Sequence, residues 1–245
     1  MNRHAPAAIP RFRRLAEAVQ AEGCRLFGRI VRVGRHIDGN VARMPPRSAG
    51  DTSWSSAAPP PHPVTEAEIA MAVQDHAGVA GTRMEAGLEG NALGMALGHL
   101  VQQCLAPASN RREDGHGGSA GNRLRFALET LRAAPGPDRA PGIRIGADEF
   151  PPGGLTLADM TDIVRRLCAA VQAGFVNVPH SARHGGHPVS PRMADATLWP
   201  EGLQPPTRGT GGAQDGARHR PAVLTVCRHR TVDARNSRLP WGVGD

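Results

Sequence analysis

At 245 residues and 25.8 kDa, with 40% hydrophobic and 21% charged residues, the chain has the size and composition of one large globular domain or two small ones. All 29 basic residues are arginine, tyrosine is absent, and Gly 30 with Pro 22 is a heavy share, a pattern that a GC-rich coding sequence produces before any function does. The formal charge of +7 suggests nucleic acid, but the arginines are scattered and aromatics for base stacking are only 3%, so a nucleic-acid partner is not expected.

Phe12, Leu15, Ala16 and Val19 share one face and predict a helix over residues 10–22. The apolar run Cys24–Val31 reads as a strand. Residues 38–62, rich in Pro, Ser and Ala, are expected to be irregular. Thr65 and Glu68 have capping-box spacing and open a helix with Ile69, Val73, Ala77, Ala80 and Met84 as its buried stripe, ended by Gly87. Leu88–Leu93 is a weaker strand. Ser119–Ala134 is a helix, Pro141–Ile145 a strand, and Thr156–Ala173 a helix carrying Leu157, Met160, Ile163, Val164, Leu167 and Val171 in register. Gly174–Val178 is a strand, residues 179–219 are a second irregular segment, and Ala222–Cys227 is the last apolar run. Strands alternating with helices argue for a parallel α/β sheet, whose ligands sit at the carboxyl ends of the strands.

Cys24, Cys104, Cys168 and Cys227 are far apart and form no CxxC pair, so they read as thiols of a reducing, cytoplasmic protein. The segment 1–14 lacks the apolar stretch of a signal peptide. No run of about 18 apolar residues exists, so no membrane partner is expected. His180, His184 and His187 cluster, but Gly185, Gly186 and Pro188 prevent the helix an H-x-x-x-H metal site would use, and no metal is expected.

The stretch 109–126, SNRREDGHGGSAGNRLRF, resembles the signature S-N-x-R-x-D-x-Y-G-G-S-x-x-N-R-x-R-F of the old-yellow-enzyme-like NADH:flavin oxidoreductases. Residues 98–107, GHLVQQCLAP, are similar to that family's G-Y/H-L-x-x-Q-F-L-S-P segment, and 63–69 to its helix start. Residues 142–150 resemble the strand with a flavin-contacting arginine, 9–19 the helix before the third barrel strand, and 223–228 the seventh strand. The GHL form and residues 176–182 look closest to the branch of trimethylamine dehydrogenase and the N-methyl amino acid demethylases, with 2,4-dienoyl-CoA reductases nearby. The resemblance implies a partial (β/α)8 TIM barrel of about strands 3 to 7. Residues 1–245 would then form a single incomplete FMN-binding barrel domain, a fragment without strands 1, 2 and 8.

The resemblance also implies cofactors and sites. FMN would be bound, with NAD(P)H as electron donor. Arg144 would lie near the N1–C2 edge of the flavin, where a fixed positive charge favours the reduced ring. Arg228 would meet the FMN phosphate, although Cys227 stands where the family has glycine. Arg29 replaces a glutamine, which both donates and accepts, by a group that only donates. Arg32 stands where histidine is usual, and the polar anchors of the fourth strand are missing at residues 91–97. His99 and His180 are substrate-side candidates, and the Arg112–Asp114 pair reads as a structural loop contact.

Three readings of function remain open at this point. The first is an FMN-dependent oxidoreductase acting on a small molecule, an N-methylated amine or an enone/enoyl compound. The second is a catalytically inactive remnant of such an enzyme, and the third a basic nucleic-acid-binding protein. Unpaired barrel edges would favour an oligomer or a partner supplying the missing barrel complement.

Overall fold

The computed structural model describes residues 6–37, 45–54, 58–134, 141–146, 148–149, 153–171 and 173–178, with the backbone of 223–224, 226–227 and 230–231. The principal elements in chain order are α1 (Ile9–Ala21), β1 (Phe27–Ile30), β2 (Arg47–Ser48), β3 (His62–Pro63), α2 (Glu66–Glu85), β4 (Gly90–Met95), α3 (Leu100–Leu105), α4 (Ala120–Ala133), β5 (Gly142–Ile145), α5 (Leu157–Val171) and β6 (Phe175–Asn177). Three two-residue strands follow: β7 (Val223–Leu224), β8 (Val226–Cys227) and β9 (Arg230–Thr231).

The central sheet has the order β1-β4-β5-β6-β7, and its first four strands are parallel. Each parallel step is joined by a helical crossover, and spatial order follows chain order. A doubly wound sheet would reverse its order at some point, whereas a sequential run of β/α units is the topology of a (β/α)8 barrel. The helices all lie on one face. There Leu93, Met95, Ile143, Ile145 and Val176 join Ile69, Leu105, Phe126, Leu131, Met160 and Leu167 in one buried cluster. A smaller cluster of Ala16, Ala86 and Leu88, flanked by Phe12 and Leu26, fixes α1 beside the entry to β1.

Local signals explain the element ends. Thr65 Oγ1 accepts from the Glu68 amide and the Glu68 carboxylate accepts from the Thr65 amide, the reciprocal cap that starts α2. At its other end the Gly87 amide donates to the Met84 carbonyl and the Leu88 amide to the Arg83 carbonyl, the paired bonds of a Schellman stop.

The structure corrects several expectations. The last apolar run does not continue the parallel order: β7 pairs antiparallel with β6, Val176 opposite Leu224. A parallel neighbour needs a crossover packed on the sheet, and residues 179–222 carry no apolar period to build one. The segment expected to be irregular at 38–62 contains β2, which forms a two-residue parallel bridge with β3. The stripe of α2 buries Ala72 and His76 rather than Ala77 and Met84, and Leu157, in the first turn of α5, is 41% exposed. Finally, residues 100–105 form a helix buried along its whole length, which no amphipathic period announces.

Candidate functional site

Alternation along the strands gives the sheet a second face, opposite the helices. Register places Arg29 beside Ala92, Gly94 beside Arg144, and Arg144 beside Asn177. Because Ala92 and Gly94 are two apart, they point the same way, and so do Arg29 and Arg144. The intervening strand β4 offers only Gly90, Ala92 and Gly94 to this face, and the Val31 side chain lies over Gly94, next to Arg144. Below them the rings of Phe27 and Phe175 meet edge to face at 5.0 Å, lying over Gly90 and Gly142.

Arg144 is half-buried, and its Nε has no hydrogen-bond partner among the described residues. Burial lowers its pKa, and the like charge of Arg29 lowers it further. Two cations sharing a face with an unused donor make a place for an anion or for the electron-rich edge of a ring. Arg32, by contrast, turns to the helix side and pairs with Asp75 at 3.1 Å, so it belongs to the packing.

At the carboxyl ends of the strands, a network that sequence reasoning missed holds the loops in place. After β4 the chain turns through Leu97 (φ 60) and Gly98 (φ 69) into α3. A leucine in the left-handed region costs roughly 1 kcal/mol or more. Two buried glutamines hold that turn. Gln102 Oε1 accepts from the Gly98 amide at 2.7 Å, and Gln103 Nε2 donates to the Gly98 carbonyl at 2.5 Å. Gln102 Nε2 also donates to Glu149 Oε1 at 2.8 Å, while Glu149 Oε2 accepts from the Leu155 amide at 2.7 Å. Burial pushes the Glu149 carboxyl up despite these bonds.

Gln103 reaches the loop after β1 as well, accepting weakly from the Arg35 amide at 3.4 Å. Gly34 sits there with φ +64, and a Cβ on it would lie 2.5 Å from the Gln103 amide oxygen. Arg35 is itself buried, donates from Nη1 to the Thr52 carbonyl at 2.9 Å, and feels the Glu149 charge. The loops after β1, β4 and β5 are thus tied into one rim. Gln102 and Gln103 were visible inside the GHLVQQ segment, and the glycine of Gly34-Arg35 was a turn signal. Neither carried a sign of its partner.

His99 precedes α3 at this rim, with its ring 6.0 Å from that of His36, which in turn lies 5.5 Å from Trp54. The structure therefore brings Arg29 and Arg144 together and places His99 at the carboxyl end of β4. Arg228 and His180 lie outside the described residues. Cys227 lies in β8, paired with Arg230 of β9. The signature loop is held by its own bonds. Arg112 forks onto the Asp114 carboxylate, Asn110 Nδ2 donates to the Cys104 carbonyl at 2.5 Å, and a Cβ on Gly117 would strike the Arg112 carbonyl.

Known proteins resemble this chain in sequence and in fold. Residues 4–202 match the sequence model of the NADH:flavin oxidoreductase / NADH oxidase family. The N,N-dimethylglycine/sarcosine dehydrogenase of Chromohalobacter salexigens is 37% identical over 178 residues, covering 69% of this chain and 25% of that protein. The NADH oxidase of Thermoanaerobacter brockii is 34% identical over 160 residues, covering 64% of this chain and 25% of that one. A solved 2-naphthoyl-CoA reductase in complex with 2-naphthoyl-CoA superposes with a TM-score of 0.67 at 25% identity, covering 74% of this chain and 30% of that chain. The chain thus spans about a quarter of the length of the two curated relatives.

Proposed function

The chain belongs to the NADH:flavin oxidoreductase / NADH oxidase family, and from that premise we propose that residues 1–245 are one incomplete barrel domain that holds FMN for an oxidoreductase. The reducing equivalents would come from NAD(P)H or from an N-methylated amine, and in the reductive direction an enone or enoyl compound would receive them. The amine reading is favoured by the likeness to a dimethylglycine/sarcosine dehydrogenase, the enoyl reading by the likeness to an aryl-CoA reductase. FMN, when bound, supplies the hydride chemistry, so the protein's part is to hold and polarise it.

The observation that carries this proposal is Arg144, whose buried Nε has no hydrogen-bond partner among the described residues, on the sheet face opposite the helices. Its guanidinium would meet the pyrimidine edge of the ring and stabilise negative charge there. Arg29 would add a second donor, and Arg228 would take the phosphate. His99 and His180 would face the substrate side. The rim of Gln102, Gln103 and Glu149 would hold the loops after β1, β4 and β5 at the carboxyl ends of the strands.

Among the described residues no helix is long and apolar enough to cross a membrane. Cys24, Cys104 and Cys168 are free thiols, in keeping with a cytoplasmic setting. No described strand pairs with the outer edge of β1, and that edge is where further β/α units or a second subunit would add.

The visible spectrum of the purified protein tests the proposal directly, through FMN retained or taken up on titration. Arg144→Ala should weaken FMN at least tenfold, because a hydrogen bond to a charged group contributes about 1.5–3 kcal/mol. Thermal stability should stay close to that of the parent. Equal FMN affinity in the parent and the variant would remove Arg144 from the site.

A further inference from the structure

A second cluster of polar groups lies away from the open sheet face, where the loop 109–119 meets the start of α2 and the flank of α4. His116 is at its centre, with its side chain only 10% exposed. Its two ring nitrogens face carboxylates from different helices. Nε2 lies 3.3 Å from Glu129 Oε2, and Nδ1 lies 3.8 Å from Glu66 Oε1. A carboxylate at hydrogen-bonding distance holds the imidazole proton on Nε2. Nδ1 is then a bare lone pair, buried and without a hydrogen-bond partner. It confronts a carboxylate oxygen, which is also an acceptor. Two acceptors opposed in this way need a positive centre between them.

Asp114 supplies a third ligand. One donor atom each from Glu66, Asp114 and His116 lie within 4.8 Å of one another. Arg112 forks onto the Asp114 carboxylate, whose Oδ1 also accepts from the His116 amide at 3.0 Å. These contacts use three of the four lone pairs, and one remains on Oδ2. Arg125 is the other cation close by, committed through Nε to the Gly115 carbonyl at 2.7 Å. Three carboxylates against two guanidiniums leave the cluster negative while the imidazole is neutral.

A proton on Nδ1 would answer only the Glu66 contact, at a separation beyond a hydrogen bond, and would leave the free lone pair of Asp114 Oδ2 unanswered. A metal ion answers all three. We propose that Glu66, Asp114 and His116 bind a first-row divalent transition metal of the zinc type. Glu129 serves as the carboxylate that fixes the imidazole, the usual outer partner of a metal-bound histidine. One imidazole and two carboxylates at about 2.0–2.2 Å from the ion suit zinc. Closing to that geometry asks little of Glu66, which sits in the first turn of α2 with its side chain 63% exposed. The remaining coordination positions open to water on that side. The bound ion clamps the loop to α2 and, through His116 and Glu129, to α4. The flavin signature has tyrosine at this position, which offers no ring nitrogen, so the signature does not account for the site.

The test uses the full chain, stripped with a chelator and titrated with Zn²⁺ against a competing chromophoric indicator, with Co²⁺ absorption as a second reading. His116→Tyr restores the residue of the signature and Glu66→Gln alters an exposed position, so both variants keep the fold. We expect His116→Tyr to lose one equivalent of zinc and Glu66→Gln to bind that equivalent at least tenfold more weakly. Zinc should raise the melting temperature of the parent and leave that of His116→Tyr unchanged. Absence of zinc binding by the stripped parent overturns the proposal. So does binding whose stoichiometry and affinity are the same in parent and variants, since the metal would then sit on other histidines or cysteines.

Discussion

The two faces of the parallel sheet are made by alternate residues of the same four strands, yet they differ in almost every physical respect. Toward the helices, Leu93, Met95, Ile143, Ile145 and Val176 are at most 3% exposed and packed into a single cluster. On the opposite face Phe27, Arg144, Phe175 and Asn177 are half-buried, Arg29 is exposed, and β4 offers no side chain larger than alanine. The first face is finished by this chain alone. The second carries two arginines and a buried donor without a partner among the described residues. On the reading proposed above, stability and ligand binding fall on opposite sides of one sheet, and substitutions on the two sides should behave differently.

The largest effect is expected on the helix face. Phe126 is fully buried among α2, α4 and the sheet. Phe126→Ala removes its packing and leaves a cavity, a loss of about 3–5 kcal/mol in urea unfolding. Phe27→Ala on the open face removes a half-buried ring and one edge-to-face contact, and should cost about 1–2 kcal/mol. Similar losses at the two positions would erase the distinction.

A smaller effect on the same face depends on pH. His76 is buried against the Phe126 ring, and burial pushes its pKa down to about 4, helped by the Arg32 charge. The unfolded chain takes up a proton near pH 6.5 while the folded chain does not. Stability is therefore full above 6.5 and is lost as pH falls toward 4, by roughly 3 kcal/mol. Glu149 acts in the opposite sense. Its raised pKa means that its contribution is full below its ordinary value and is lost as pH rises through the folded one. The difference between the parent and His76→Leu isolates the histidine. The variant should lose less stability from pH 6.5 to 4, and parallel curves would show that His76 is protonated in the fold.

What could be read without coordinates follows the same division. The helices and strands of the packed face were legible because apolar periodicity encodes burial: the Thr65–Glu68 cap, the Gly87 stop and the helix over Ser119–Ala134 all stand where spacing put them. Periodicity does not encode polar pairing across long sequence gaps. Gln102 and Glu149 are 47 residues apart, and nothing in either segment names the other. Helix α3 escaped notice because all six of its residues are buried, so it shows no polar side. His76 was passed over for Ala77 because a titratable residue reads as surface until its neighbours are known. Arg29 and Arg144 were found through a family resemblance, and the register adds that they share one face. The His116 cluster was hidden for the reason that hid the glutamines: Glu66 and Glu129 come from helices far apart in the chain.

The smallest effect on stability, and the one most specific to the open face, is expected from Arg29→Gln. Arg29 is exposed and no described hydrogen bond holds its guanidinium, so unfolding should change by no more than about 0.5 kcal/mol. Its removal takes a like charge away from Arg144, whose pKa should move back toward the ordinary arginine value. Toward a flavin the change runs the other way from Arg144→Ala. A glutamine amide both donates and accepts, so it can accept from the ring N3–H, where arginine can only donate. One added hydrogen bond contributes about 1 kcal/mol net, so FMN affinity should rise roughly fivefold, with the rise read from a fluorescence titration. A fall in affinity would mean that the second positive charge holds the ring and that the cation pair, rather than Arg144 alone, is the unit of recognition. In that case Arg29→Gln combined with Arg144→Ala should lose less than the two single losses together, because removing either guanidinium already breaks the unit.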